Sequence, residues 1–206
     1  MPDIHVASRQ RSVRYDHARL ALLVKNSLPE CMEVAAKLGG PLFGLHRIEC
    51  AVVGVRPMAR VHREFLNLRG PTDVITFPYG EILVCAPVAE SRAEEFGHDV
   101  TTELALYCIH GLLHLAGHDD AEPGAARRMA GEQARILRAA ILALSLPWEL
   151  QVKAGIPGGN RVQSNPPVDR SSLIHEITPP QNPVRSLCGR RVGSCHRPSR
   201  ALFRDA

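Results

Sequence analysis

Three histidines fall within nine residues of the chain, at His110, His114 and His118 in the segment HGLLHLAGHDD. Residues four apart lie on one face of an α-helix, so the imidazoles of His110 and His114 are expected to converge on a single ion. Imidazole nitrogen is a preferred ligand of zinc, and helical zinc sites use this spacing. The pair therefore predicts a metal site on a helix.

A third ligand is expected from the residues that follow the pair. Gly117 allows the chain to leave the helix through a left-handed conformation, which would return one of His118, Asp119 or Asp120 to the ion. Three protein ligands leave one position of a tetrahedral zinc site open for water, as in catalytic sites. The alternative is a pair of histidines that are buried and hydrogen-bonded, or that face solvent, without a metal. The glycine and the acids after the helix favour the metal.

The predicted elements that position this histidine segment are mainly strands in the first part of the chain and helices in the part that follows. Alternating and β-branched apolar runs predict strands at 4–7, 48–55, 72–77 and 81–85. Apolar residues at helical spacing predict helices at 16–37, 57–68, 88–96, 100–115 and 121–146. Pro29 must start, bend or end a helix, so the first range holds one helix or two. This order indicates one α+β domain, a small mixed sheet with helices on one side and the metal site at a helix end in a cleft.

The amino-acid composition and the apolar periodicity of the 206-residue chain change near residue 150. Residues 1–150 contain the periodic apolar segments and carry sixteen basic and eighteen acidic residues, so the predicted domain is not basic. Residues 151–206 are rich in proline, arginine and serine, with nine basic and three acidic residues, and are predicted to be a disordered tail. Such a tail is either an arm that attracts RNA phosphates or a dispensable extension.

Composition excludes several classes of protein. With 45% hydrophobic and 22% charged residues, the chain has no run of the roughly 18 apolar residues that span a bilayer. Residues 1–24 lack the order of a secretory signal, so a cytoplasmic protein is expected. The six cysteines form no CxxC pair, which argues against a disulfide scaffold or a zinc ribbon and predicts free thiols.

The histidine segment resembles the HGxLHLxGxDH motif of the YbeY family of rRNA-maturation endoribonucleases. Two further segments support the resemblance: PTDVITFP at 71–78 is similar to the family's PTDVLSFP, and GEILVC at 80–85 to its GDIVI strand. The resemblance covers about residues 1–150. It implies a single-strand-specific endoribonuclease with one zinc ion per chain, which matures the 3′ end of 16S rRNA and acts in ribosome quality control. The partners implied are ribosomal RNA and the small ribosomal subunit, with no membrane or DNA.

The chain departs from the family motif at the third metal ligand. The family commonly uses the final histidine of its motif, and this chain has Asp120 there. Carboxylate oxygen also binds zinc, so the resemblance implies that the ligands are His110, His114 and Asp120, with His118 as the competitor for the third place. Two histidines and a carboxylate would also accept iron, manganese or nickel.

A second departure concerns the arginine that family members often carry six residues before the threonine of the PTDV segment. This chain has Leu66 at that position. Arg63 and Arg69 flank it, and either guanidinium could hold a scissile phosphate through paired hydrogen bonds. Arg69 is predicted to be the catalytic arginine, because it lies in the loop that enters the next strand.

Two other functions fit part of the pattern. A metzincin-type peptidase also holds zinc with a helical histidine pair, but it needs a glutamate directly after the first histidine, where this chain has Gly111. A ribosome-assembly factor without enzymatic activity would use the metal structurally and bind RNA through the tail at 151–206. The sequence favours the nuclease over both.

Overall fold

The structure, a computed structural model, describes residues 1–145, so the predicted tail at 151–206 lies outside the described residues. Its sheet has four strands in the order β1-β2-β4-β3. The strands are β1 (Asp3–Arg9), β2 (Arg47–Val53), β3 (Val74–Phe77) and β4 (Glu81–Cys85). β1, β2 and β4 are parallel, and β3 pairs with β4 in antiparallel register at the edge of the sheet. All four predicted strands are present, and the sheet is mixed as expected.

Five α-helices occur within residues 1–145. They are α1 (His17–Leu38), α2 (Val55–Leu66), α3 (Ala86–Phe96), α4 (Val100–Leu115) and α5 (Pro123–Ser145), with a short 3-10 helix at Pro41–Gly44 after α1. α1 continues through Pro29 as a single helix, because buried residues on both sides of the proline, Leu28 and Cys31, belong to the same core. Pro123 is the first residue of α5, a position where its missing N–H has no helical partner to lose.

Apolar side chains pack on both faces of the sheet. One face, with Ile48 of β2 and Ile82 of β4, lies against α1 and α4, and α5 packs on these two helices. The prediction of one α+β domain with a mixed sheet is confirmed, but the helices are not limited to one side. The opposite face, with Leu83 of β4, packs against Met58 and Val61 of α2. The 3–4 spacing of the apolar residues in α2 makes that helix amphipathic, so it covers the second face of the sheet.

α4 is the central helix, and nearly all of its residues are buried. Gly111 allows its close approach to the sheet: a Cβ atom at this position would lie 2.7 Å from Cγ2 of Ile82 and 2.8 Å from Oγ1 of Thr76. Both neighbours are β-branched and have little freedom to move. Position 111 thus faces the sheet and has no room for a side chain.

Between residues 1 and 145, no helix combines the length and the apolar character needed to cross a membrane. Cys31, Cys50, Cys85 and Cys108 are buried free thiols, as predicted.

Candidate metal centre

The chain leaves α4 through a turn that returns it over the last turn of the helix. The N–H of Gly117 donates to the carbonyl of His114 at 3.0 Å, and the N–H of His118 donates to the carbonyl of Leu113 at 2.9 Å. This pair of bonds is the Schellman arrangement, which requires a left-handed residue at the helix end. Gly117 has a φ of +104°, so the predicted left-handed exit is confirmed.

The turn brings the side chain of Asp120 against the two histidines. Nε2 of His110 and Nε2 of His114 lie 3.0 Å apart, and the carboxylate oxygens of Asp120 lie 3.7 Å from the first and 3.9 Å from the second. All three side chains are almost fully buried, at 4%, 6% and 4% exposure. Ligands of a tetrahedral zinc ion are separated by about 3.3 Å, so this donor set fits such an ion with small adjustments.

The hydrogen bonds of the two imidazoles fix which nitrogen carries the proton. Nδ1 of His110 donates to Oε1 of Gln133 at 3.2 Å, and Nε2 of Gln133 donates to the carbonyl of Leu106 at 3.1 Å, which sets the orientation of the amide. Nδ1 of His114 donates to the carbonyl of His118 at 3.1 Å. Both Nε2 atoms are then lone-pair donors that face each other beside a carboxylate. A cation between them would satisfy all three groups.

The protonation state of His110 and His114 is also the one that metal binding requires. Burial lowers the pKa of His110 to about 3, with a further contribution from the neighbouring His114, while the bond to Gln133 opposes the shift. Burial also lowers the pKa of His114. Both imidazoles are therefore neutral at pH 7, which is the form that binds a metal.

This burial predicts acid sensitivity of the metal-free protein. Below pH 6.5, the ordinary pKa of histidine, the imidazole of His110 is protonated in the unfolded chain but stays neutral in the folded protein. The free energy of unfolding is therefore highest above that pH and decreases as the pH falls toward 3. From pH 7 to pH 5 the loss for His110 is about 2 kcal/mol of unfolding free energy. Urea denaturation of the chelated protein at the two pH values measures it. His110→Gln, which does not titrate, should show a smaller difference, and an equal difference would contradict the assignment.

Gln133 is the residue of this centre that sequence reasoning missed. It lies in α5 and is buried, so it joins the centre from a distant part of the chain. The available signal was a polar residue at a core position, since Met129, Ile136 and Leu137 of the same helix are buried around it. The contact of Gln133 with His110 depends on the packing of α5 against α4, which cannot be read from the spacing of residues 110–120.

Replacing Gln133 with leucine is expected to weaken metal binding by about 10- to 100-fold, the usual cost of losing a group that orients a ligand. The imidazole of His110 would lose the acceptor that fixes its tautomer. Competition with a chromophoric chelator measures the affinity. Gly131→Ala is the matched control in the same helix, because a Cβ at position 131 meets no atom within 4 Å. Equal affinities of the Gln133→Leu variant and the control would show that Gln133 does not orient the ligand.

The other predicted site residues lie outside this group. Among the described residues, His110, His114 and Asp120 form the group that could hold an ion together. The imidazole of His118 is not part of this group, and its backbone carbonyl accepts the hydrogen bond from Nδ1 of His114. Arg69 is exposed in the loop between α2 and β3. Leu66, at the position of the arginine that the family often carries, packs against the apolar cluster beneath α2.

The peptidase alternative conflicts with the packing of α4. That alternative needs a glutamate at position 111, directed toward a water on the metal. Gly111 instead faces Ile82 and Thr76 of the sheet at distances that exclude any side chain. The geometry therefore agrees with the sequence argument against a peptidase.

Comparison with known proteins identifies related chains. A family model described as Endoribonuclease YbeY matches residues 5–140. Endoribonuclease YbeY of Bifidobacterium longum subsp. infantis is 34% identical, over 52% of this chain and 66% of the relative. Endoribonuclease YbeY of Frankia casuarinae is 33% identical, over 65% of this chain and 72% of the relative. Endoribonuclease YbeY of Chlorobium luteolum is 43% identical, over 42% of this chain and 69% of the relative. The chain thus spans between 66% and 72% of the length of these curated relatives.

Proposed function

The chain belongs to the YbeY family of endoribonucleases, and on that premise we propose that it is a metal-dependent hydrolase that cuts single-stranded RNA. The proposed process is maturation of the 3′ end of 16S rRNA together with ribosome quality control. The proposed partners are ribosomal RNA and the small ribosomal subunit, and the proposed location is the cytoplasm. One zinc ion per chain is the proposed cofactor, with His110, His114 and Asp120 as its ligands.

The convergence of three buried donor atoms at the end of α4 is the observation that supports this proposal most directly. Two Nε2 atoms with free lone pairs and one carboxylate face a common point. Without a cation, such an arrangement places electron-rich atoms against one another in a poorly solvated place, which is costly. The donor set of two imidazoles and a carboxylate suits zinc.

The residues of the centre contribute to catalysis by holding and tuning the ion. A divalent cation, which His110, His114 and Asp120 would hold, would supply Lewis acidity toward a phosphoryl oxygen and activate water for hydrolysis. Asp120 adds a negative charge where the family commonly has a neutral imidazole, which strengthens cation binding and lowers the Lewis acidity. Gln133 and the carbonyl of His118 keep both imidazoles in the tautomer that binds metal.

We propose Arg69 as the group that binds the scissile phosphate, since Leu66 offers no charge. Arg69→Gln is expected to lower kcat/KM by about 10- to 100-fold, because a charge-assisted hydrogen bond to phosphate contributes about 1.5–3 kcal/mol. Steady-state cleavage of a short single-stranded RNA measures the effect, with Arg63→Gln tested beside it. A greater loss in Arg63→Gln than in Arg69→Gln would assign the phosphate contact to Arg63.

The proposed function is tested by metal analysis combined with an RNA cleavage assay. Mass spectrometry should find one zinc ion per chain, and the protein should cut labelled single-stranded RNA but not duplex RNA or single-stranded DNA of the same sequence. Chelation should abolish cleavage, and added zinc should restore it. Cleavage that persists after complete removal of the metal would contradict the proposal. Metal-dependent folding without cleavage, followed by circular dichroism, would indicate a structural metal and an assembly factor.

A further inference from the structure

Three arginines line one face of α2, the helix on the side of the sheet opposite α4. Arg56, Arg60 and Arg63 are spaced by four and three residues, so their side chains project within an arc of about 60°. We call this set the arginine face. Met58, Val61 and Phe65 project from the opposite side of the helix into the apolar cluster below.

The arginine face is charged and lacks partners within residues 1–145. None of the three guanidinium groups forms an ion pair with a described carboxylate, and Nε of Arg60 is buried without a hydrogen-bond acceptor. Arg56 and Arg63 are exposed. Glu64 is the single acidic residue of α2 and makes no ion pair with them. Residues 1–150 contain slightly more acidic than basic residues, so the positive charge of the arginine face is a local feature of this surface.

The last turn of α2 lies across edge strand β3 from α4, with the arginine face directed away from the sheet. The ring of Phe65, in the last turn of α2, contacts the ring of Phe77 of β3 with centroids 5.1 Å apart. Thr76, the preceding residue of β3, contacts α4 at Gly111, next to the metal-binding His110. The last turn of α2 and the first metal ligand therefore flank the same end of β3, one on each side of the sheet.

From this arrangement we infer that the arginine face binds the phosphate backbone of the RNA substrate outside the cleavage site. The inference rests on the proposed function and extends it. An RNA strand held at the metal centre passes around edge strand β3 to reach the outer side of α2, where the three guanidinium groups bind phosphates. Contacts of this kind are independent of base identity, so the surface adds affinity and register without sequence preference.

The test is the salt dependence of RNA binding by the full chain. Binding of a fluorescent 2′-O-methyl single strand of about 16 nucleotides, the upper end of common site sizes, is measured by anisotropy at several salt concentrations. For single strands, each phosphate contact contributes about 0.7 to the slope of log Kobs against log salt concentration. The double variant Arg56→Gln, Arg60→Gln, which leaves Arg63 in place because it is also a candidate for the scissile phosphate, should therefore show a slope that is shallower by about 1.4.

A matched control removes the same charge from another surface. Two exposed arginines that make no described ion pair and lie between β1 and α1, Arg11 and Arg14, are replaced with glutamine. This control should keep the slope of the wild-type protein within about 0.7, the contribution of one contact. Equal slopes for the wild type and the arginine-face variant overturn the inference while leaving the proposed function intact. A slope that falls equally in the control overturns it as well, and a wild type that does not bind RNA overturns both proposals.

Discussion

His114→Ala is expected to lose its metal and to cut RNA at least about 10³-fold more slowly than the wild type, while keeping its fold. In the proposed centre His114 is one of two imidazole ligands, and the two ligands that remain after its removal would hold zinc weakly. The Lewis acidity of the ion is worth several kcal/mol of transition-state stabilisation, which corresponds to about 10³-fold or more in rate. The side chain is small in volume and lies at the end of α4, so its removal leaves the apolar cluster of α1, α4 and α5 in place.

Metal content, single-turnover RNA cleavage and circular dichroism are measured together on this variant. His46→Ala is the matched control, because His46 is an exposed histidine outside the metal centre. Loss of metal and activity with an intact fold in His114→Ala alone agrees with the proposed function. Full cleavage by the variant, or loss of metal accompanied by unfolding, would remove the support for a catalytic metal.

Gly40→Ala is expected to destabilise the protein by about 3 kcal/mol or more and to reduce metal affinity at the same time. A Cβ atom on Gly40 would overlap the backbone of Leu115, Ala116 and Gly117, the turn that ends α4. Backbone atoms of a hydrogen-bonded turn have no rotamer through which to yield. Relief therefore requires movement of the turn that carries the chain from His114 to Asp120.

Urea denaturation and chelator competition measure the two effects of Gly40→Ala. Gly44→Ala, four residues away, is the matched control, because a Cβ atom on Gly44 meets nothing within 4 Å. The control should retain both stability and affinity. Stability lost without any change in metal affinity would show that the connection after α1 does not hold the metal-binding turn.

Local patterns were sufficient to predict the main elements and the ligand geometry of α4. The range 100–115 for this helix agrees with the structure, as does the strand at 81–85. The convergence of His110 and His114 follows from helix periodicity, and the return of the chain follows from a glycine at the helix end. These features depend on neighbours within a few residues, so a single sequence contains them.

Features that depend on contacts distant in sequence were not predictable in the same way. Gln133 contacts His110 because α5 packs against α4. Gly40 contacts the turn at the end of α4 because α1, which precedes Gly40, also packs against α4. The position of α2 on the second face of the sheet was missed for a related reason. Its amphipathic pattern shows that one side is buried but does not say against which face of the sheet.

The three candidate ligands come from one short stretch, His110 to Asp120, and this closeness bears on how the protein acquires its ion. The entropy lost in closing a loop grows with the logarithm of its length, so joining these ligands costs little compared with ligands drawn from separate elements. Bringing these ligands together needs no closure as long as the one that pairs β1 with β2 over forty residues. A cation that binds them would stabilise the folded helix end by mass action, with a small loss of chain entropy.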